Sequence, residues 1–160
     1  MIVANARNGL IYPHDEVCYF MSAHGQAAKI GYFRMDSMPW SVAIAIATGD
    51  RVEIVDATPG AKPLTDGLKF GVPTWCLVYN RAIHRPELSV CSWETPHMRR
   101  LAQNGVHRKT AHALRKLLFC VTPEPQPAIV GQNVILTCHQ RACWDDKPEI
   151  LRALLESEGR

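Results

Sequence analysis

The stretch PTWCLVYN, Pro73 to Asn80, puts Thr, Trp, Val and Tyr into eight residues and reads as a strand. Its neighbours carry the same signal. VCYFMSA (17–23) and AKIGYFRM (28–35) are short, aromatic and β-branched, with the turn-like spacer His24-Gly25-Gln26 between them. SVAIAIA (41–47) alternates weakly. RVEIVDA (51–57) alternates clearly, with Val52, Ile54 and Ala57 against Arg51, Glu53 and Asp56. Gly49-Asp50 makes the connection between these last two tight, and TPGAKP (58–63) is a loop by composition. Strands joined by short connections predict a mostly antiparallel sheet from the first ninety residues.

The pattern then changes. ETPHMRRLAQNG (94–105) reads as a helix with Thr95 as N-cap and Pro96 at the first helical position, ended by Asn104-Gly105. A second helix follows from Val106 to Phe119. VTPEPQP (121–127) holds three prolines in seven residues and must be an extended connector. AIVGQNVILTC (128–138) reads as one strand, or as two with a turn at Gly131-Gln132-Asn133. DDKPEILRALLESE reads as a C-terminal helix with Asp146 as N-cap, Glu149 at the capping-box position, and an apolar stripe through Ile150, Leu151, Leu154 and Leu155. The expected class is α+β: a mostly antiparallel sheet, a basic helix pair, and a C-terminal helix packed back on the sheet. The 160 residues are read as a single domain, 1–160, subdivided into a β-rich part (1–90) and a helical, wing-like part (91–160).

Composition sets bounds on function. Hydrophobic residues make up 47% and charged residues 21%, which excludes disorder as the main state. The start MIVANARNGL has no basic segment followed by an apolar run, so no secretory signal is expected. No stretch is apolar over the length a membrane helix needs. Cys18, Cys76, Cys91, Cys120, Cys138 and Cys143 sit mostly in apolar company, and the expectation is free thiols in a reducing cytoplasm.

Net charge is only +3, but its distribution is uneven. Between Thr95 and Phe119 stand six Lys or Arg and no acid, while the segment from Trp144 onward carries five acids against three bases. At about 100° per residue, Val106, Thr110, Ala113, Leu114, Leu117 and Leu118 gather on one side of the second helix. Arg108, Lys109, His112, Arg115 and Lys116 gather on the other. Such a face forgoes the i,i+4 acid–base pairs that stabilise isolated helices. A polyanion would supply the missing countercharge and would release counterions on binding. The expected nucleic-acid-binding residues are therefore Arg99, Arg100, His107, Arg108, Lys109, His112, Arg115 and Lys116. A solvated amphipathic face is the bland alternative, and an acidic protein surface bound by an inhibitor or adaptor is the third.

Residues 95–118, MRRLAQNG followed by VHRKTAHALRKLL, resemble a helix-turn-helix, with Ala102, Gly105, Val106 and Leu114 at packing positions. The resemblance implies DNA as the target, with Arg108, Lys109 and His112 toward bases and 128–138 as a wing. The turn is one residue shorter than the common pattern. Residues 17–70 are similar to the start of GIY-YIG nuclease domains, with Tyr19-Phe20 and Lys29-Ile30-Gly31 at the two strand motifs. That similarity implies a metal-dependent endonuclease using Tyr19, with Asp66 as the carboxylate for Mg2+. Lys29 stands where the family has its second tyrosine. Together the two resemblances suggest a DNA-binding protein of phage or mobile-element type.

Two further groups carry chemistry. Cys138, His139 and Cys143 have a spacing that would suit Zn2+, although no second close pair completes the site. Cys76 and His84 would make a thiolate–imidazole pair for a Cys/His hydrolase if the fold brought them together. The leading reading needs neither a metal nor another cofactor. It is a nucleic-acid-binding protein, with the nuclease or hydrolase and the acidic-surface binder as alternatives.

Overall fold

Among the described residues, four strands form one sheet: β1 (Ile2–Asn5), β2 (Tyr19–Phe20), β3 (Val52–Asp56) and β4 (Val134–Cys138). The computed structural model describes residues 1–5, 19–20, 40–56, 67–104 and 108–138. Strand order is β2-β1-β3-β4, and every pairing is parallel. Val3 lies beside Ile54, Ala4 beside both Tyr19 and Val55, and Val52 to Asp56 run alongside Val134 to Cys138. The expected antiparallel sheet is thus overturned. Parallel neighbours cannot be joined by hairpins and need crossovers. Helix α1 (Trp40–Ala47) separates β2 from β3 in the chain, and α2 (Val72–Ala82), α3 (Pro96–Asn104) and α4 (Arg108–Val121) separate β3 from β4.

Two expected strands are helices. SVAIAIA lies in α1, where Val42, Ala43, Ala45, Ile46 and Ala47 are all buried. PTWCLVYN lies in α2, where every residue except Arg81 is buried. A helix covered on all sides shows no 3.6-residue alternation, and its short apolar run looks like a strand. Alanine favours the helix in α1. In α2, Pro73 occupies the first turn, where its missing N–H costs nothing. A single π-helical turn, Gly67–Gly71, leads into α2, and the Thr74 hydroxyl donates to the Phe70 carbonyl at 2.8 Å.

The core lies between sheet and helices. Val3, Val52 and Ile54 meet Val42 and Ile46 of α1, Trp75 and Tyr79 of α2, and Leu114 and Leu118 of α4. Trp75 and Tyr79, one turn apart, stack with ring centroids at 5.6 Å. Helix α3 packs on α2, while α4 packs on α1 and α2. The N-terminus of α3 is as expected: Pro96 opens it and the Met98 N–H donates to Thr95 Oγ1 at 3.2 Å. Helix α4 buries Leu114 and Leu118 and leaves Ala113 exposed, a narrower stripe than the sequence suggested.

After α4 the chain runs extended back to the sheet and is tied to α2. The Tyr79 hydroxyl donates to the Gln126 carbonyl at 2.9 Å. Buried Asn80 accepts from the Ala128 N–H at 2.8 Å and donates to the Ala128 carbonyl at 3.0 Å, pairing with that residue as a strand would. A turn at Gly131-Gln132-Asn133, with Gly131 at φ 87°, then leads into β4, as one of the two sequence alternatives anticipated. The expected strand at 28–35 and the expected C-terminal helix from Asp146 lie outside the described residues.

Candidate nucleic-acid interface

Helices α1 and α2 end in the same way. At the end of α1, Gly49 (φ 94°) donates to the Ile46 carbonyl at 3.0 Å and Asp50 donates to Ala45 at 2.8 Å. At the end of α2, His84 (φ 64°) donates to Arg81 at 3.1 Å and Arg85 donates to Asn80 at 2.7 Å. Both are Schellman caps, which satisfy carbonyls of the last turn through one left-handed residue. Glycine takes that conformation freely; a side chain pays about 1–2 kcal/mol. Among the described residues His84 is the one non-glycine with positive φ.

The side chain of His84 lines a cleft of about 560 Å3 between the end of α2, the end of α3 and the side of α4. Arg81 and His84 line it from α2 and its cap, Gln103 from α3, and His112 and Arg115 from α4. This described lining holds two arginines and two histidines and no carboxylate. Arg115 Nε donates to the Ala82 carbonyl at 3.0 Å, placing a cation on the negative end of the α2 dipole. Its two η nitrogens retain four N–H donors for a ligand. A smaller cleft of about 250 Å3 adjoins, and Arg81 and Gln103 line both. On the far side of His84, its ring lies 6.0 Å from that of Phe119 on α4, which is 38% exposed.

The expected binding residues divide. His112, Arg115 and Lys116 are exposed on α4, and Arg100 is exposed on α3. Arg99, half-buried, is already engaged by the protein. It forms an ion pair with Glu94 and donates to the carbonyls of Pro86 and Leu88 at 3.0 and 3.3 Å, while Glu94 also accepts from the Val90 N–H. These bonds fix the loop between α2 and α3. Arg108 and Lys109 open α4 with only their backbone described, and His107 lies outside the described residues. Sequence reasoning missed Arg81, His84 as a binding residue, and Phe119. The usable signal was Arg81 itself, the one charged residue in an otherwise apolar run ending in His84-Arg85-Pro86.

The other chemical candidates fare as follows. Cys76 is fully buried, and desolvation pushes its thiol well above the usual range, with nearby Cys91 adding to the rise. A thiol held protonated is a poor nucleophile. Cys76 and His84 are also eight residues apart along α2 and its cap, about 12 Å of helical rise. Cys76, Cys91 and Cys120 are free thiols. Of the zinc candidates, Cys138 ends β4 with only its backbone described, and His139 and Cys143 lie outside the described residues, as does Asp66. Tyr19 is in β2, again as backbone only. Among the described residues, no group of three His, Cys, Asp or Glu converges to hold a metal ion, and no helix is long and apolar enough to cross a membrane.

The parallel sheet defines a second place of interest. Strand order reverses between β1 and β3, and open parallel sheets bind ligands beyond their carboxyl ends at such a point. Asn5 and Asp56 end the two neighbouring strands there.

Fold and cleft define an α+β domain with a parallel sheet and a cationic recess among its helices. Residues 1–124 match the Rit1 N-terminal domain family, and the chain belongs to that family. All the cleft residues fall inside the matched span, whereas β4 lies beyond it. The chain is also similar to an uncharacterized protein of Aquifex aeolicus (strain VF5), at 32% identity over 177 aligned residues, covering 98% of this chain and 92% of the relative. No solved structure matches.

Proposed function

We propose that this protein binds nucleic acid through the cleft at the end of α2 and the exposed face of α4. One observation carries the reading: Arg81 and His84 from the end of α2, and His112 and Arg115 from α4, line one recess whose described lining has no acid. Cations grouped without countercharge attract phosphates and release their counterions. Exposed Lys116 extends the positive surface along α4. DNA is the first target, on the helix-turn-helix-like reading of 95–118. The cytoplasm is the proposed location, in keeping with the free thiols.

Fluorescence anisotropy with labelled DNA and RNA oligonucleotides at several salt concentrations tests this. Replacing Arg81 and Lys116 together by Ala should weaken binding and lower the slope of log K against log salt by about one per lost phosphate contact. Equal retention of wild type and the double variant on a DNA column would count against the proposal. Capture of a protein partner that survives nuclease treatment, without oligonucleotide binding, would favour the acidic-surface alternative.

A second reading has its own support in the strand order. Asn5 and Asp56 flank the switch point, so a catalytic or ligand site at the carboxyl edge would make the protein an enzyme acting on what the cleft holds. Plasmid nicking that needs a divalent cation and is lost in Asp56→Asn would support it.

A further inference from the structure

The cleft has a feature that phosphate binding alone does not use. Its edge is aromatic. His112, Arg115 and Phe119 recur at three- and four-residue intervals along α4 and so share one face. From His112 to Phe119 that face rises about 10 Å, roughly the reach of one to two nucleotides. Phe119 lies at its end, exposed, and the His84 ring meets it at 6.0 Å with the planes 44° apart. Phe119 keeps 38% of its surface in water, so part of its ring is open to a ligand. The second observation is independent: the matching Schellman cap at the end of α1 uses Gly49, whereas this one holds a histidine in the left-handed backbone conformation. Strain kept at one of two equivalent positions points to work done by that side chain.

We propose that the His84–Phe119 edge is a stacking platform for an unpaired base, with Arg81 and Arg115 taking the phosphates on either side of it. The site thus selects single-stranded nucleic acid, or an unpaired end or loop, over the interior of a duplex. Base stacking on an aromatic ring beside a cationic groove is sequence-tolerant, because every base presents a π face. A paired base is already stacked between its neighbours and cannot offer that face. This inference rests on the nucleic-acid reading above and specifies the form of the ligand.

The test compares a labelled single-stranded 12-mer of mixed sequence with the blunt duplex of the same sequence, using the full chain as wild type, Phe119→Ala, Phe119→Tyr, His84→Gly and Arg81→Ala. Wild type should bind the single strand more tightly than the duplex. Phe119→Ala and His84→Gly should each weaken single-strand binding by about fivefold or more, the lower end of a stacking contribution. Phe119→Tyr should retain it. Duplex binding should change by less than about twofold in both Phe119 variants, since no base is free to stack. A 2-aminopurine in the strand should be quenched by wild type and not by Phe119→Ala. Thermal melts check the fold, and His84→Gly should melt no lower than wild type because it relieves the cap.

If Arg81→Ala weakens both probes while Phe119→Ala and His84→Gly weaken neither, the platform is overturned and backbone binding stands. The platform is equally overturned if Phe119→Ala weakens strand and duplex alike. If wild type binds neither probe, the nucleic-acid reading itself fails.

Discussion

Helices α1 and α2 stop with the same hydrogen-bond pattern and differently chosen residues. Where α1 ends, Gly49 takes the left-handed position at no cost, and nothing lies within 4 Å of the Cβ it lacks. Where α2 ends, His84 takes the same position under strain and lines a cleft. One terminus only stops a helix; the other stops a helix and presents a ring. The difference teaches that the backbone requirement is met equally by both, so the residue at the α2 terminus is explained by what lies in front of it.

The largest effect expected on this contrast comes from one turn earlier in α2. Asn80 gives its backbone carbonyl to the cap and its side chain to both polar groups of Ala128. Asn80→Ala leaves a buried N–H and C=O without partners and should cost about 2–6 kcal/mol, at about 1–3 kcal/mol per orphaned group. A urea midpoint that does not move would mean the cap and the connector are not coupled through Asn80.

The next effect concerns pH. Helix α1 carries no ionisable side chain, whereas α2 buries Cys76 and Tyr79, and desolvation raises both above their ordinary values of 9.0 and 10.0. A raised pKa means the folded state keeps a proton that the unfolded state releases. The stability this represents is complete below pH 9 and is lost as pH rises past the unfolded-state values. The loss should approach about 1.4 kcal/mol per pH unit for each group. Denaturation at pH 8, 9 and 10 should show this fall, and Cys76→Ala should reduce its slope between pH 9 and 10. An identical slope in that variant would show that Cys76 does not contribute.

The smallest effects test the two caps directly. Gly49→Ala should destabilise by about 1–2 kcal/mol, the cost of a side chain in the left-handed region. His84→Gly should be neutral or stabilising by up to about 1 kcal/mol, since strain relief is partly offset by glycine's greater freedom in the unfolded chain. If both substitutions destabilise equally, the caps are not equivalent and the functional reading of His84 loses its basis.

How far the fold was legible follows from exposure. β3 alternates because Glu53 is half-exposed between buried Val52 and Ile54, and its limits were read to within a residue. α3 announces its start through Thr95 and Pro96, which act at a surface. α1 and α2 are enclosed, so their sequences record only burial, and burial is common to strands and core helices. Pro73, acceptable in a first helical turn and damaging within a central strand, was the one local clue against the strand reading. Parallel pairing was hidden for another reason. It depends on which strands the crossovers bring together, a long-range property that short spacers such as His24-Gly25-Gln26 do not encode. The site was half legible. A charge count found the cations of α4, but Arg99 belongs to the same count and is consumed by Glu94 and two carbonyls. Arg81 comes beside the α4 residues of the cleft, and His84 beside Phe119, only because α2 and α4 meet, and no spacing in the sequence records that meeting.

The hold of α2 on the returning chain has a consequence for length. Adjacent residues Tyr79 and Asn80 fasten Gln126 and Ala128, so the span from 126 to 128 has no slack. A residue gained or lost there would shift Val134 out of step with Val52, and because strand side chains alternate, all of β4 would turn its wrong face to the interior. Insertions are better tolerated ahead of Gln126, at the exposed Pro123 and Glu124. Helix α2 thereby serves as the gauge that times the entry of the last strand.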